Sequence, residues 1–345
     1  MHEYVGAIHM HSVFSDGSGK VDEIAGFADE VGLDYILLTD HNTLRALNEG
    51  MEGWYGNTLL LIGCEINDKE NKNHYLAFGI DEPFSTRLPA QEYVKKVKEA
   101  GGIGFIAHPH EKRQSMKEHP PYPWLAWDAE GFTGIEIWNH MSEWMEGLTE
   151  ENKYNRFMHP LRSIEKPPEE TVARWDELNK DRMVVGIGGV DAHAHKLNLL
   201  GFFEVEVFPY KVLFKSVRTH ILTDGSIEKD NLEHSKKVIY GALAEGRCFV
   251  SNYYHGDARG FRYFAESHGK VYQMGETVPL EDKVTLRVFL PNITGTIKLI
   301  RNGKMIDETE NIDSEFRIQK AGVYRIEVYI EEKAWIFSNP IRIGL

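Results

Sequence analysis

A chain of 345 residues, 42% hydrophobic and 27% charged, is long enough to bury one large core and a smaller second one. Its 39 Lys and Arg against 53 Asp and Glu leave a formal charge of −14, which argues against general affinity for nucleic acid backbones or anionic membranes. With no run of about 18 apolar residues, no signal-peptide pattern in the start MHEYVGAIHM, and only Cys64 and Cys248 as thiols, the expectation is a cytoplasmic protein without a disulfide framework, whose metals would sit on imidazole and carboxylate.

In chain order, short Val, Ile and Leu runs alternate with amphipathic segments as far as about residue 250, the mark of βα units. YVGAIHMH reads as a strand and KVDEIAGFADEVGL as a helix with Val21, Ile24, Ala25 and Ala28 on its apolar face. DYILLTDH is the next strand. TLLLIGCEIN and NHYLAFGID, joined by a short polar link, predict a hairpin. Helix PAQEYVKKVKEAGG, strand IGFIAHPH and strand FTGIEIWNH follow. Residues 141–168 show no clear period and are expected to form an irregular excursion or lid. Then come helix EETVARWDELNK, strands MVVGIGGVDAH and GFFEVEVF, and helix NLEHSKKVIYGALAEG. Beyond about residue 260 the pattern changes to a period of two without helices, which predicts antiparallel sheet. The expected organisation is an α/β unit over residues 1–255 and a small β-sandwich-like unit over residues 256–345.

Histidines and acids collect at the C-terminal ends of the predicted strands, where parallel α/β architectures place their active sites. His9 and His11 close the first strand, Asp40 and His41 the second, Glu65 the third, His108 and His110 another, and Asp191, His193 and His195 another. Side chains at i and i+2 of a strand share a face, so each closely spaced pair can converge on one site. A single H-x-H is as readily a surface pair; three such pairs at three strand ends are not. Imidazole and carboxylate suit Zn, Mn or Fe, and the pool exceeds the three or four ligands of one ion. More than one ion is expected, with Glu65 as a bridging carboxylate, although a solvated Glu on a turn is the plainer reading of that residue alone.

HMHSVFSDGSG, LLTDHNTL, GCEIN, NHYLAFGI, FIAHPH and GGVDAHAH together resemble the polymerase and histidinol phosphatase (PHP) family of metallohydrolases, over roughly residues 5–250. The resemblance implies a distorted barrel of about seven β/α units, a (β/α)7 barrel with the small antiparallel β domain appended, and a trinuclear metal site. It implies that His9, His11, Glu65 and Asp191 hold one ion, that Glu65 bridges to a second held with His74 and His108, and that Asp16, His41 and His193 hold the third. Some relatives carry His where Asp16 stands. Asp40, on the opposite strand face from His41, is expected to orient a histidine. His110 and His195 are candidates for metal ligation, substrate contact, proton transfer or plain rim positions, and Asn139 and His140, which end another strand on the same rim, have a similar standing, Asn139 as a substrate contact. His119, His159, His220, His234, His255 and His268 match no motif and are expected on the surface or in packing.

The function expected is hydrolysis of a small phosphate ester, with two or three divalent ions and a water between two of them brought towards a neutral pKa. Glu65 would bridge those ions, and His195 or His110 would protonate the leaving oxygen. Arg113 and Lys196 are the better candidates for binding phosphoryl oxygens, and Trp124, Trp127, Trp138 and Trp144 for walling an organic group. The alternatives are hydrolysis of carbamate, ester or amide bonds by the same site, and a non-catalytic binding module stabilised by its metals. No nucleic acid or membrane partner is expected, and the edges of the C-terminal strands favour association into a homo-oligomer.

Overall fold

The Val, Ile and Leu runs fold as short buried strands, because branched and long aliphatic side chains fit a pleated surface covered on both faces. The computed structural model describes residues 1–113, 120–199, 203–280, 283–291 and 293–345. Strand His2–Ile8 pairs parallel with Tyr35–Leu38, which pairs parallel with Thr58–Ile62. After Gly63 the chain continues as Cys64–Ile66 and opens a second sheet through Tyr75–Phe78, Ile103–Ile106, Gly134–Asn139 and Val185–Gly189. Gly63 permits the change of sheet, since a Cβ there would lie 2.3 Å from the Ala77 carbonyl oxygen.

The two sheets meet at both margins through backbone bonds. Gly63 N donates to Leu38 O (2.8 Å) and Glu65 N to Thr39 O (3.2 Å); at the other margin Val190 N donates to Ile8 O (2.9 Å) and His11 N to Ala192 O (2.9 Å). The ends of these strands therefore gather on one rim. The pairing is mixed: Tyr75–Phe78 runs antiparallel to Cys64–Ile66, as the predicted hairpin requires, and also to Ile103–Ile106. Helix Val21–Glu30 buries Val21, Ile24, Ala25 and Ala28, the face anticipated from its spacing.

Residues 141–168 are more regular than expected. They hold helix His140–Glu146, helix Lys153–Met158 and a 3-10 turn at Pro160–Ser163. Asn139 starts the first of these by accepting a bond from Ser142 N at 2.8 Å, and Met141, Trp144 and Met145 bury one face at helical spacing. The helices are short, which is why the period was not visible in the sequence.

Beyond residue 260 the alternating runs form antiparallel strands. Arg262–Ser267, Lys270–Gln273, Val284–Phe289 and Asp313–Ile318 make one sheet. Its Tyr263, Leu286 and Val288 share an apolar cluster with Ile326, Val328 and Trp335 of the strands opposite. That opposite layer is continuous with the rest of the molecule: Lys333–Ser338 pairs with Cys248–Asn252, which pairs with Val217–Thr223, which pairs antiparallel with His2–Ile8. A buried ion pair adds a second tie, Arg325 donating to both Asp176 carboxylate oxygens at 2.7 and 2.8 Å. Among the described residues no helix is long and apolar enough to cross a membrane.

Candidate metal centre

Nine of the residues singled out in the sequence converge at the rim where the two sheets meet. They do so partly through backbone that leaves the strand conformation: His9 (φ 69°), His108 (φ 24°) and Asp191 (φ 53°) lie at positive φ, rarely adopted by non-glycine residues and most often retained at functional sites. Each sits just past a strand end, where the kink carries the side chain inward. The alternation argument therefore fails for His108 and His110. The strand ends at Ile106, Glu111 N turns back to His108 O at 3.1 Å, and the two imidazoles part.

Glu65 is the hub, and it is buried. One carboxylate oxygen lies 3.1 Å from His9 Nε2, 3.1 Å from His11 Nε2 and 3.4 Å from His41 Nδ1. The other lies 2.6 Å from His74 Nδ1 and 3.3 Å from His108 Nε2. Asp191 Oδ1 stands 3.5 Å from His9 Nε2, 3.6 Å from His11 Nε2 and 3.5 Å from His193 Nδ1. Asp16, half exposed, approaches His193 Nε2 at 3.4 Å and His11 and His41 at 3.7 Å. The donor atoms fall into four overlapping groups whose members lie within 4.8 Å of one another: His11, Asp16, His41, His193; His9, Glu65, His108; His9, His11, Asp191; and His41, Glu65, His74.

These residues fit divalent ions. Both ring nitrogens of His11, Nδ1 of His41 and His108, and Nε2 of His74 are buried without a hydrogen-bond partner. Leaving so many polar atoms unpaired costs about 1–3 kcal/mol each unless another ligand takes them up. The charges are coupled. Burial opposes ionisation throughout, but Asp191, Glu136 and Glu65 together hold the His9 pKa well above its ordinary value, and His11 and His108 are raised to about 9. The surrounding imidazoles, His9 first, keep Glu65 ionised against its burial. His41 goes the other way, down to about 4, because burial outweighs its carboxylate neighbours.

A ring of supporting residues fixes these donors. Glu136, not anticipated, is buried in the middle of strand Gly134–Asn139. It accepts from His9 Nδ1 at 3.0 Å and His108 N at 2.8 Å, leaving His9 Nε2 to face Glu65. A charged residue inside the apolar GIEIW run was the available signal. Gly189 makes room for it, because a Cβ there would lie 1.8 Å from Glu136 Oε1. Tyr210 was also missed: its hydroxyl accepts from Gly19 N (3.1 Å) and donates to His11 O (2.7 Å), tying the first loop to the strand end.

Three expectations are corrected. Asp40 accepts bonds from Ser12 N (2.7 Å), Ser12 Oγ (2.7 Å) and Ser15 Oγ (2.6 Å), so it anchors the loop bearing Asp16 rather than orienting a histidine. Asn139 spends its amide on Glu136 (2.8 Å), Asp191 (3.3 Å) and the cap of the following helix, which leaves it no group for substrate. His110 turns away, its Nδ1 3.1 Å from Thr171 Oγ1 and its ring stacked on Trp127.

A cavity of about 560 Å³ opens over the cluster, and Arg113, His195 and Lys196 all line it. The Arg113 guanidinium is paired with the buried Glu111 carboxylate at 2.6 Å and lies over the Tyr122 ring. Of the four tryptophans proposed as walls, Trp144 lines the cavity; Trp124 and Trp138 belong to the core, and Trp127 packs against His110 and Arg174. His220 is in packing, as expected, and His119 falls outside the described residues.

Residues 7–110 match the PHP domain family, the span that carries all but two of the nine donors. The PHP resemblance read from the motifs is thus shown for that span. An uncharacterized protein of Methanocaldococcus jannaschii is 30% identical over 117 residues, a match covering 30% of this chain and 66% of that protein. Among solved structures, a two-domain protein from Bacteroides vulgatus, described as containing a predicted PHP-like metal-dependent phosphoesterase, aligns over 98% of this chain and 95% of its own, at 17% identity and a TM-score of 0.47. PsfC from Pseudomonas syringae aligns over 66% of this chain and 86% of its own, at 13% identity and a TM-score of 0.39.

Proposed function

We propose that this chain is a metal-dependent phosphoesterase that hydrolyses a small phosphate ester at a trinuclear centre. In this reading residues 1–255 form a distorted seven-unit β/α barrel, and residues 256–345 a β-sandwich-like extension. The observation that carries it is the set of buried imidazole nitrogens left unpaired around the Glu65 carboxylate. His9, His11, Glu65 and Asp191 would hold one ion; Glu65, His74 and His108 a second; Asp16, His41 and His193 the third. Bound there, divalent ions would supply Lewis acidity and lower the pKa of water towards neutrality.

The chain's own residues do the rest. Glu136 accepts the His9 Nδ1 proton, which fixes the tautomer and presents Nε2 to the site. His193 is turned the same way, its Nδ1 donating to the Asp191 carbonyl at 3.0 Å, so that Nε2 faces Asp16. Lys196 and Arg113 line the cavity; the Arg113 charge is shared with Glu111, and Lys196 would offer positive charge to phosphoryl oxygens, which favours a phosphate ester over an uncharged carbamate or amide. His195 lines the same cavity and would be the residue to pass a proton to the departing oxygen.

The test is phosphate release from a panel of phosphate esters and aryl carbamates by the metal-loaded protein, with Glu65→Ala and His9→Ala alongside. The reading expects turnover of phosphate esters and its collapse in both variants. Wild-type turnover in either variant at full metal occupancy, or turnover of carbamates alone, would overturn it.

A further inference from the structure

Beside the metal cluster, the cavity is lined by six apolar residues, Met141, Trp144, Met145, Phe157, Val207 and Phe208. The three rings form one unit: Trp144 meets Phe208 edge-on at 4.5 Å and Phe157 at 4.8 Å between centroids. Phe208 stands at φ 58°, a conformation that costs energy for a bulky aromatic residue and brings its ring to this wall. Among these six side chains the one N–H or O–H group, the Trp144 indole N–H, is already donated to Arg156 O at 3.1 Å. Helix Lys153–Met158, which carries Phe157, buries no residue and leaves Tyr154 76% and Met158 75% exposed, so the apolar surface continues past Phe157.

A 560 Å³ cavity is of the size that holds a small organic molecule. One side is charged and binds the phosphoryl group in the reading above. The six apolar side chains offer contact area and, with the Trp144 N–H already bonded, little hydrogen bonding of their own, so a hydroxyl placed against them would lose water partners without replacement. Resting on the phosphoesterase reading, we infer that the substrate is a phosphate monoester of a bulky apolar alcohol, not of a sugar or polyol, and that Trp144, Phe157 and Phe208 set this preference. Hydrolysis then forms one P–O bond from water and breaks the ester P–O bond. One proton from that water passes to the departing alcohol oxygen.

The experiment compares three primary-alkyl esters, so that leaving-group chemistry is held close: cyclohexylmethyl phosphate, 2-naphthylmethyl phosphate and glucose 6-phosphate. The expected kcat/KM for both apolar esters exceeds that for glucose 6-phosphate by about 10-fold or more, the scale of discrimination one apolar contact provides. Phe157→Ser, at a partly exposed position outside the buried core and with folding checked by circular dichroism, reduces that ratio, and Phe157→Leu restores most of it. A second arm does not need turnover: calorimetric titration of 2-naphthylmethanol into metal-free protein, which expects saturable binding weakened in Phe157→Ser. Hydrolysis of all three esters at equal kcat/KM, or preference for the sugar, overturns the inference while leaving the phosphoesterase reading standing. If no ester is hydrolysed, that reading fails and the titration decides for the pocket: binding lost in Phe157→Ser supports its apolar specificity, and no binding overturns it.

Discussion

Among the described residues, buried histidine meets buried carboxylate in two assemblies, and they end in opposite states. His220 sits between Glu3 and Ser251: Nδ1 donates to Glu3 at 2.9 Å and Nε2 accepts from Ser251 Oγ at 2.9 Å. Glu3 is further engaged by Arg262 at 2.6 Å and by Gly260 N at 2.9 Å. Every polar atom of that imidazole has a partner, and it pins strands His2–Ile8, Val217–Thr223 and Cys248–Asn252 together from within. Around Glu65 the same residue types leave five ring nitrogens without a hydrogen bond, two of them meeting Glu65 only at ion-pair distance. A Ser–His–Glu row has the look of catalytic machinery, yet the unpaired set is the one that calls for a ligand. The contrast lies in unmet bonding capacity joined to convergence: single unbonded groups occur elsewhere, as at His140 and Trp124, but only around Glu65 do several meet acids within ligand distance of one another among the described residues.

The comparison is broken most sharply by changing an acid at the hub. Asp191→Asn removes a charge shared by His9, His11 and His193. Several kcal/mol of charge stabilisation should go with it, on the order of 10³ in turnover, read as phosphate release under saturating metal. Glu136→Gln acts one step away, through His9, and should weaken metal affinity by roughly 10- to 100-fold, measured by competition against a chelating dye.

The protons report the same difference. With His11 and His108 raised to about 9, both carry a proton in the metal-free protein at neutral pH. That proton must leave before the nitrogen can bind a cation. Metal binding should therefore release protons near pH 7, and apparent affinity should climb as pH rises towards 9; calorimetry in buffers of different ionisation enthalpy counts the protons.

The smallest effect is expected at the other assembly. His220→Phe leaves Glu3 and Ser251 each short of a partner and should cost about 1–3 kcal/mol of stability in urea, with bound metal unchanged. Its pH dependence has a definite sign. Burial, against the pull of Glu3, holds the His220 pKa below 6.5. The unfolded chain thus binds more protons just below pH 6.5, and wild-type stability falls as pH drops through that window. Glu3 is itself lowered from 4.5 against burial, chiefly by His220, and extends the loss to lower pH. The variant should lack the first part of this dependence.

Much of this was legible in the chain. Strand ends dense in His and Asp named seven of the nine residues that the structure brings together, because strand runs and turn signals are local patterns; Asp16 and His74 came only from the resemblance of the motifs to the PHP family. What was missed depends on long-range geometry. His110 was paired with His108 on the assumption that the strand continued, whereas a turn after Ile106 separated them. Glu136 was visible as a lone charge within GIEIW, but its value lies in reaching His9 across the space that Gly189 leaves open. Tyr210 carried no signal, since its role depends on a contact 199 residues away. The period of two after residue 260 gave antiparallel strands correctly, while the pairing of Lys333–Ser338 with Cys248–Asn252 joins segments that no local pattern connects.

The claim that unpaired nitrogens around Glu65 mark a metal centre is tested most directly by ion stoichiometry. Equilibrium dialysis of Mn²⁺ against the wild type, Glu65→Gln and His220→Phe, with bound ions counted per chain, separates the two assemblies. More than one ion in the wild type, loss in Glu65→Gln and an unchanged count in His220→Phe are the results expected. No bound ion in the wild type, or equal counts in all three proteins, would contradict it.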